Sequence, residues 1–183
     1  MLTFQDGDLN TALHFGARNG CAKICAHIIK QAERVQLIAL LVNCRNNKGF
    51  TPLIEVSFRG FKMKSEKDSA IESRYLIVKE LLRAGANAAY CKPNTQMTAL
   101  HWLAYNNDSR AIDVLLQYEA NHLAYTHDNL LPIDIAGTVP SYAAMDAFLS
   151  HYSYLNNLHK PREFHNTFDV IDKIMAQQDN HLE

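Results

Sequence analysis

Residues 11–20 read TALHFGARNG, and residues 98–107 read TALHWLAYNN. A catalytic motif is needed once, so a word written twice, with a histidine fourth each time, points to architecture. Two weaker copies align with it: TPLIEVSFRG from Thr51 and LPIDIAGTVP from Leu131. The four starts lie 40, 47 and 33 residues apart. Downstream of each comes a second word: AKICAHII from Ala22, YLIVKELL from Tyr75, SRAIDVLL from Ser109 and YAAMDAFL from Tyr142. Their apolar pairs are Ile24/Cys25 with Ile28/Ile29, Ile77/Val78 with Leu81/Leu82, Ala111/Ile112 with Leu115/Leu116, and Ala144/Met145 with Phe148/Leu149. An i, i+1, i+4, i+5 spacing is one buried helix face. The chain therefore predicts four helix pairs.

The letters of the first word suit a helix start. Its threonine caps an otherwise partnerless backbone N–H, and Pro52 occupies the first turn, where a missing N–H is harmless. Leu13, Leu53, Leu100 and Ile133 enter the core, while Ala17, Ser57, Ala104 and Gly137 keep neighbouring helices close. Gly20, Gly60 and Asn107 align where the helix ends and a positive φ is easiest. Pro140 stands at that place in the fourth copy and predicts an altered turn.

In this register TALH at 11 and 98, TPL at 51 and VKELLRAGAN at 78–87 resemble the ankyrin-repeat family, over residues 6–155. The shortest interval equals that family's 33-residue period, and the other two exceed it by 7 and 14. The resemblance implies an all-α solenoid of helix-turn-helix pairs joined by short hairpin loops. The repeats run over about 11–50, 51–97, 98–130 and 131–155. It also implies that His14 and His101 are structural, joining a helix start to adjacent turn backbone. Ile54 and Asp134 replace them in the other copies, so that brace is expected to be absent there.

The extra residues predict two insertions, at about 32–38 and 61–73. From Ile28 through KQAERVQLIALLVN (30–43) the apolar residues at 28, 32, 35, 38 and 41/42 continue a helical stripe, which predicts a longer second helix. The segment 61–73 is polar and reads as a solvated loop or, alternatively, a docking finger. After Tyr154, residues 156–166 read as a linker and 167–178 as an amphipathic C-terminal flanking helix. That helix either caps the last apolar face of the array or binds a partner.

Composition excludes several classes. A net charge of −1 over 183 residues argues against a nucleic-acid ligand. No apolar run reaches the length of a membrane span, and MLTFQDGDLN lacks the features of a secretory signal. Four cysteines, Cys21, Cys25, Cys44 and Cys91, do not form a disulfide framework in a chain of this length, which points to a reducing, cytoplasmic setting. Cys21, Cys25 and His27 invite a zinc reading, but no second ligand pair has suitable spacing. No phosphate-cradling loop or nucleophile elbow is present. The expectation is a non-enzyme with no cofactor and no metal site.

The resemblance implies an interaction scaffold whose hairpin tips and first helices form a concave groove for a partner protein or peptide. Its variable positions carry over to Arg18 and Asn19, to Arg45, Asn47, Lys48 and Phe50, and to Phe58 and Arg59. They continue with Asn94, Gln96, Met97, Tyr105 and Asn106, and end with Tyr125, His127 and Asp128. A monomer is expected. The alternatives are a structural subunit of a larger assembly, or the ankyrin part of a larger enzyme. An Asn-, Ile- and Lys-rich composition also suits an effector secreted by an intracellular bacterium into a host cytosol.

Overall fold

The protein is seen in a computed structural model that describes residues 4–58, 67–139 and 142–158. They form α1 (Ala12–Arg18), α2 (Ala22–Arg34), α3 (Ile38–Val42), α4 (Pro52–Phe58) and α5 (Lys67–Arg83). The series continues with α6 (Ala99–Tyr105), α7 (Ser109–Gln117), α8 (Pro132–Thr138) and α9 (Ala143–Leu158). Among the described residues the fold is all-α; isolated antiparallel bridges join Gln5 to Thr11 and Cys91 to Thr98 ahead of α1 and α6.

The helices make two layers. Short helices α1, α4, α6 and α8 pack one on the next, as do α2, α5, α7 and α9, and each short helix packs on the long one that follows it. Leu13, Leu53, Leu100 and Ile133 meet the second-layer residues Ile29, Ile77, Leu81, Ile112, Leu115 and Phe148 in a continuous buried core. Each such side chain contributes about 1.5–3 kcal/mol by leaving water. The predicted pairs are buried with two exceptions: Ile24 is 53% exposed, so that Cys25 alone of its pair is buried, and Leu149 is half-buried. Close approach matters at Gly16, where an added Cβ would lie 2.8 Å from the Cys25 sulfur.

Helices this short are held by their ends. α1, α2, α5, α6 and α7 each finish with the same two bonds, illustrated by Gly85 N–H to the Leu82 carbonyl at 3.0 Å and Ala86 N–H to Leu81 at 2.9 Å. This Schellman pattern needs a left-handed residue, supplied by Gly20, Gln36, Gly85, Asn107 and Glu119. The loops before the short helices repeat a second geometry. Asp6, Asn46, Lys92 and Thr126 each donate their N–H across the turn, to Asn10, Phe50, Met97 and Leu130 respectively. Two residues before each helix-opening position, Leu9, Gly49, Gln96 and Asn129 have φ between 54° and 72°.

Three expectations are corrected. The second helix of the first unit is not simply longer: it stops at Arg34, turns through Gln36 at φ 57°, and resumes as α3. The stripe is broken because the left-handed turn redirects the chain, so Leu41 and Val42 stay buried while Val35 and Leu40 are exposed. The polar segment 61–73 is not loop throughout, since α5 begins at Lys67. The expected linker begins later, because α9 continues through Leu158. The altered turn at Pro140 and the helix at 167–178 lie outside the described residues.

Glu119 occupies the place that Gly85 fills in the preceding unit, with φ 55°. Glu119→Gly should raise the unfolding free energy by about 0.5–1 kcal/mol, the relief of left-handed strain less the added chain entropy. Urea titration followed by circular dichroism checks it; a lower midpoint would refute the strain assignment.

Candidate functional site

The face of the molecule built from the hairpins and the short helices rests on a polar frame. The His14 Nδ1 atom accepts from the backbone N–H of Thr11 at 3.2 Å and lies 2.9 Å from the Thr11 hydroxyl. Nε2 therefore carries the proton and donates to the Phe50 carbonyl at 3.0 Å. His101 repeats the arrangement with Thr98 and the Leu130 carbonyl, at 3.1 and 3.2 Å. Each imidazole thus ties its own helix start to the next hairpin, and neither ring nitrogen is free for a ligand. Half of this brace survives in the fourth unit, contrary to expectation: the Asp134 carboxylate accepts the Leu131 N–H at 2.8 Å. In the second unit Thr51 acts alone, its hydroxyl accepting from Ile54 N–H at 3.3 Å.

A second set of bonds joins the first two hairpins. Arg18 donates to both oxygens of the buried Glu55 carboxylate, at 2.8 and 3.2 Å, and to Asn10 Oδ1 at 3.0 Å. Asn46 donates to Glu55 and to Asn10, both at 2.9 Å, while its Oδ1 accepts the N–H groups of Lys48 and Phe50. The Glu55 bonds hold the Arg18 guanidinium in its charged form more firmly than usual. Behind the face, Arg74 of α5 and Asp108 form a buried ion pair at 3.0 Å, and Asp108 also caps α7 through Ala111 N–H. Burial pushes the Asp108 carboxyl up, opposed by the Arg74 charge.

The candidate partner-contacting residues divide into three groups. Asn19, Arg45, Asn47, Lys48, Phe58, Gln96, Tyr105, Tyr125, His127 and Asp128 are exposed, as is Asn94. Arg18, Asn106 and Met97 are half-buried: Arg18 is committed to Glu55, Asn106 donates to the Ser57 carbonyl at 2.7 Å, and Met97 packs on the core. Phe50, expected at the surface, is buried, its ring 5.2 Å from that of Phe58. Phe58 covers it, which a list of variable positions does not reveal. Arg59 lies outside the described residues.

Between the second and third hairpins is a cleft of about 410 Å³. Its aromatic wall is Phe50, Phe58 and Trp102, with Phe58 and Trp102 edge to face at 4.8 Å. Its rim is Asn47, Lys48, Lys92, Asn94 and Thr95, and Lys92 Nζ sits 5.3 Å from the centre of the Phe50 ring. Trp102, Lys92 and Thr95 were not among the candidates read from sequence. The signal was present, because the fifth letter of the repeated word differs in all four copies, as Phe15, Glu55, Trp102 and Ile135.

Elsewhere, burial pushes the Cys25 thiol up to about 12, so it is an inert core residue rather than a nucleophile. Among the described residues no three His, Cys, Asp or Glu side chains are grouped to hold a metal, and no helix is long and apolar enough to cross a membrane. No known protein-family model matches the chain.

Two predictions follow from the histidines. His14→Ala leaves the buried Thr11 N–H without its partner and the Phe50 carbonyl with the Asn46 N–H alone, and should cost about 1–3 kcal/mol for the unsatisfied donor; an unchanged urea midpoint would exclude the brace. Burial holds His14, His101 and His151 below the ordinary histidine value and His122 down to about 4, the neighbouring His151 adding to the last. The unfolded chain therefore binds protons more readily as pH falls below its value of about 6.5. Stability should be full above pH 7 and decline between pH 7 and 5, measured by urea midpoints. Asp108 and Asp113, raised by burial, act in the opposite sense but closer to their ordinary carboxylate range. A midpoint constant or rising towards pH 5 would show the histidines to be paired differently.

Proposed function

We propose that the chain is an ankyrin-repeat protein whose hairpins and short helices form a non-catalytic surface that binds a partner protein or peptide. The observation that carries this reading is the exposure of Phe58, Tyr105 and Tyr125 on the short helices and the last hairpin, with Phe58 lining the aromatic cleft. Large aromatics with low rotamer entropy dominate interface energetics. They stand on elements fixed by buried bonds, so the surface is presented with little further ordering required.

The family assignment is supported by the recurrence itself. Four words in one register coincide with four like hairpins and with two layers of helices. The non-catalytic reading is supported by the histidines, whose ring nitrogens are spent on backbone groups. Four free cysteines suit a reducing compartment.

Affinity capture from a native lysate, quantified by mass spectrometry, tests this reading. The full chain should retain a partner that a Phe58→Ala, Tyr105→Ala, Tyr125→Ala variant, folded by circular dichroism, loses at least about tenfold, since two or three interface aromatics exceed 1.4 kcal/mol together. Equal retention by both proteins would remove binding from this face.

A further inference from the structure

The cleft at Trp102 carries a more specific statement. We propose that its occupant is an acidic segment of a partner protein, whose carboxylates lie against Lys48 and Lys92 and which supplies an acceptor to the Trp102 indole. This rests on the binding reading above and narrows it to one chemistry.

The first argument is charge. Lys48 and Lys92 line the cleft, and no acidic side chain does so among the described residues. The chain as a whole carries −1, so this is a local concentration and not the expression of a basic protein. Four arginines have carboxylate partners, Arg18 with Glu55, Arg74 with Asp108, Arg83 with Glu80 and Arg110 with Glu72. Lys92 instead rests over the ring of Phe50, an attraction weaker than a carboxylate provides when water is excluded. A positive rim on an aromatic wall steers and holds negative ligands.

The second argument is a hydrogen bond left unmade. Trp102 Nε1–H is buried and has no acceptor among the described residues. The indole can only donate, and a buried donor without a partner is unfavourable. Trp102 lines the cleft, so a ligand whose entry turns the indole edge outward would complete this bond with a carboxylate or backbone carbonyl. Donor and cations require the same kind of atom, an anionic or carbonyl oxygen. The aromatic faces of Phe58 and Trp102 then accept apolar side chains between the acidic ones.

A random twelve-residue phage-displayed library, selected on the full chain, tests the proposal. Trp102 is the single tryptophan, so its fluorescence reports occupancy of this cleft directly. Selected peptides should be rich in Asp and Glu and should change the emission of Trp102. They should bind at least about tenfold more weakly to a folded Lys48→Glu, Lys92→Glu variant, as like charges repel across the contact. Neutral or basic peptides that are lost on Phe58→Ala but indifferent to the lysine reversal would overturn the acidic partner while leaving the binding face intact. Peptides indifferent to Phe58→Ala as well would overturn the binding face itself. Failure to enrich any peptide overturns the proposal. A several-fold tighter affinity in full-length Asp169→Asn, Asp172→Asn chain would also overturn it, making the chain's own C-terminal segment the occupant.

Discussion

A seven-residue helix cannot satisfy its own backbone. Its first N–H groups and last C=O groups have no partner within the helix, and in isolation so short a segment is not stable in water. α1, α4, α6 and α8 are each seven residues long, so the whole of this fold depends on what meets their ends. At the start stand Thr11, Thr51, Thr98 and the Asp134 carboxylate; after α1 and α6, a left-handed Gly20 or Asn107 closes the last turn. The same need explains why histidine recurs in the word. It serves two backbone groups at once, one in its own helix and one in the next hairpin, and so converts a local cap into a link between units.

Those links account for the division of the molecule into a committed interior and a variable front. The Asn10, Arg18, Asn46 and Glu55 side chains face inward and are bound to one another. Tyr90 reaches from the third hairpin region to the Gly49 carbonyl at 2.7 Å, and Asn43 at the end of α3 holds both Gly85 O and Asn87 N. The inserted α3 thus has a structural purpose, positioning Asn43 beneath the end of α5. What remains outward is free to vary without disturbing the frame, and it is there that the proposed binding chemistry sits.

Part of that front was legible in the sequence. Phe58, Tyr105, Lys48 and Tyr125 sit at variable letters and are exposed. Arg18 and Phe50 sit at equally variable letters and are not available, because Glu55 and Phe58, each supplied by the following unit, engage them. The fifth letter of the word differs in every copy without showing its direction: Glu55 turns inward to Arg18, whereas Trp102 lines the cleft. A helical position near the boundary of the buried face has no fixed direction until its neighbour is placed.

The sequence by itself determined the helix pairs, their number, their core letters and the caps that begin them. These are local properties, governed by periodicity of 3.6 and by side chains within four residues of the backbone they satisfy. Tertiary structure alone decided that α2 breaks at Gln36, that α5 begins at Lys67, and that Leu9, Gln96 and Glu119 adopt positive φ despite having side chains. It also decided which polar letters are consumed by the frame and which are presented. The physical reason is that stacking one unit on the next repays backbone strain and selects partners over 30 to 40 residues of sequence separation, as in His14 to Phe50 at 36 and Arg74 to Asp108 at 34. No local pattern carries that information.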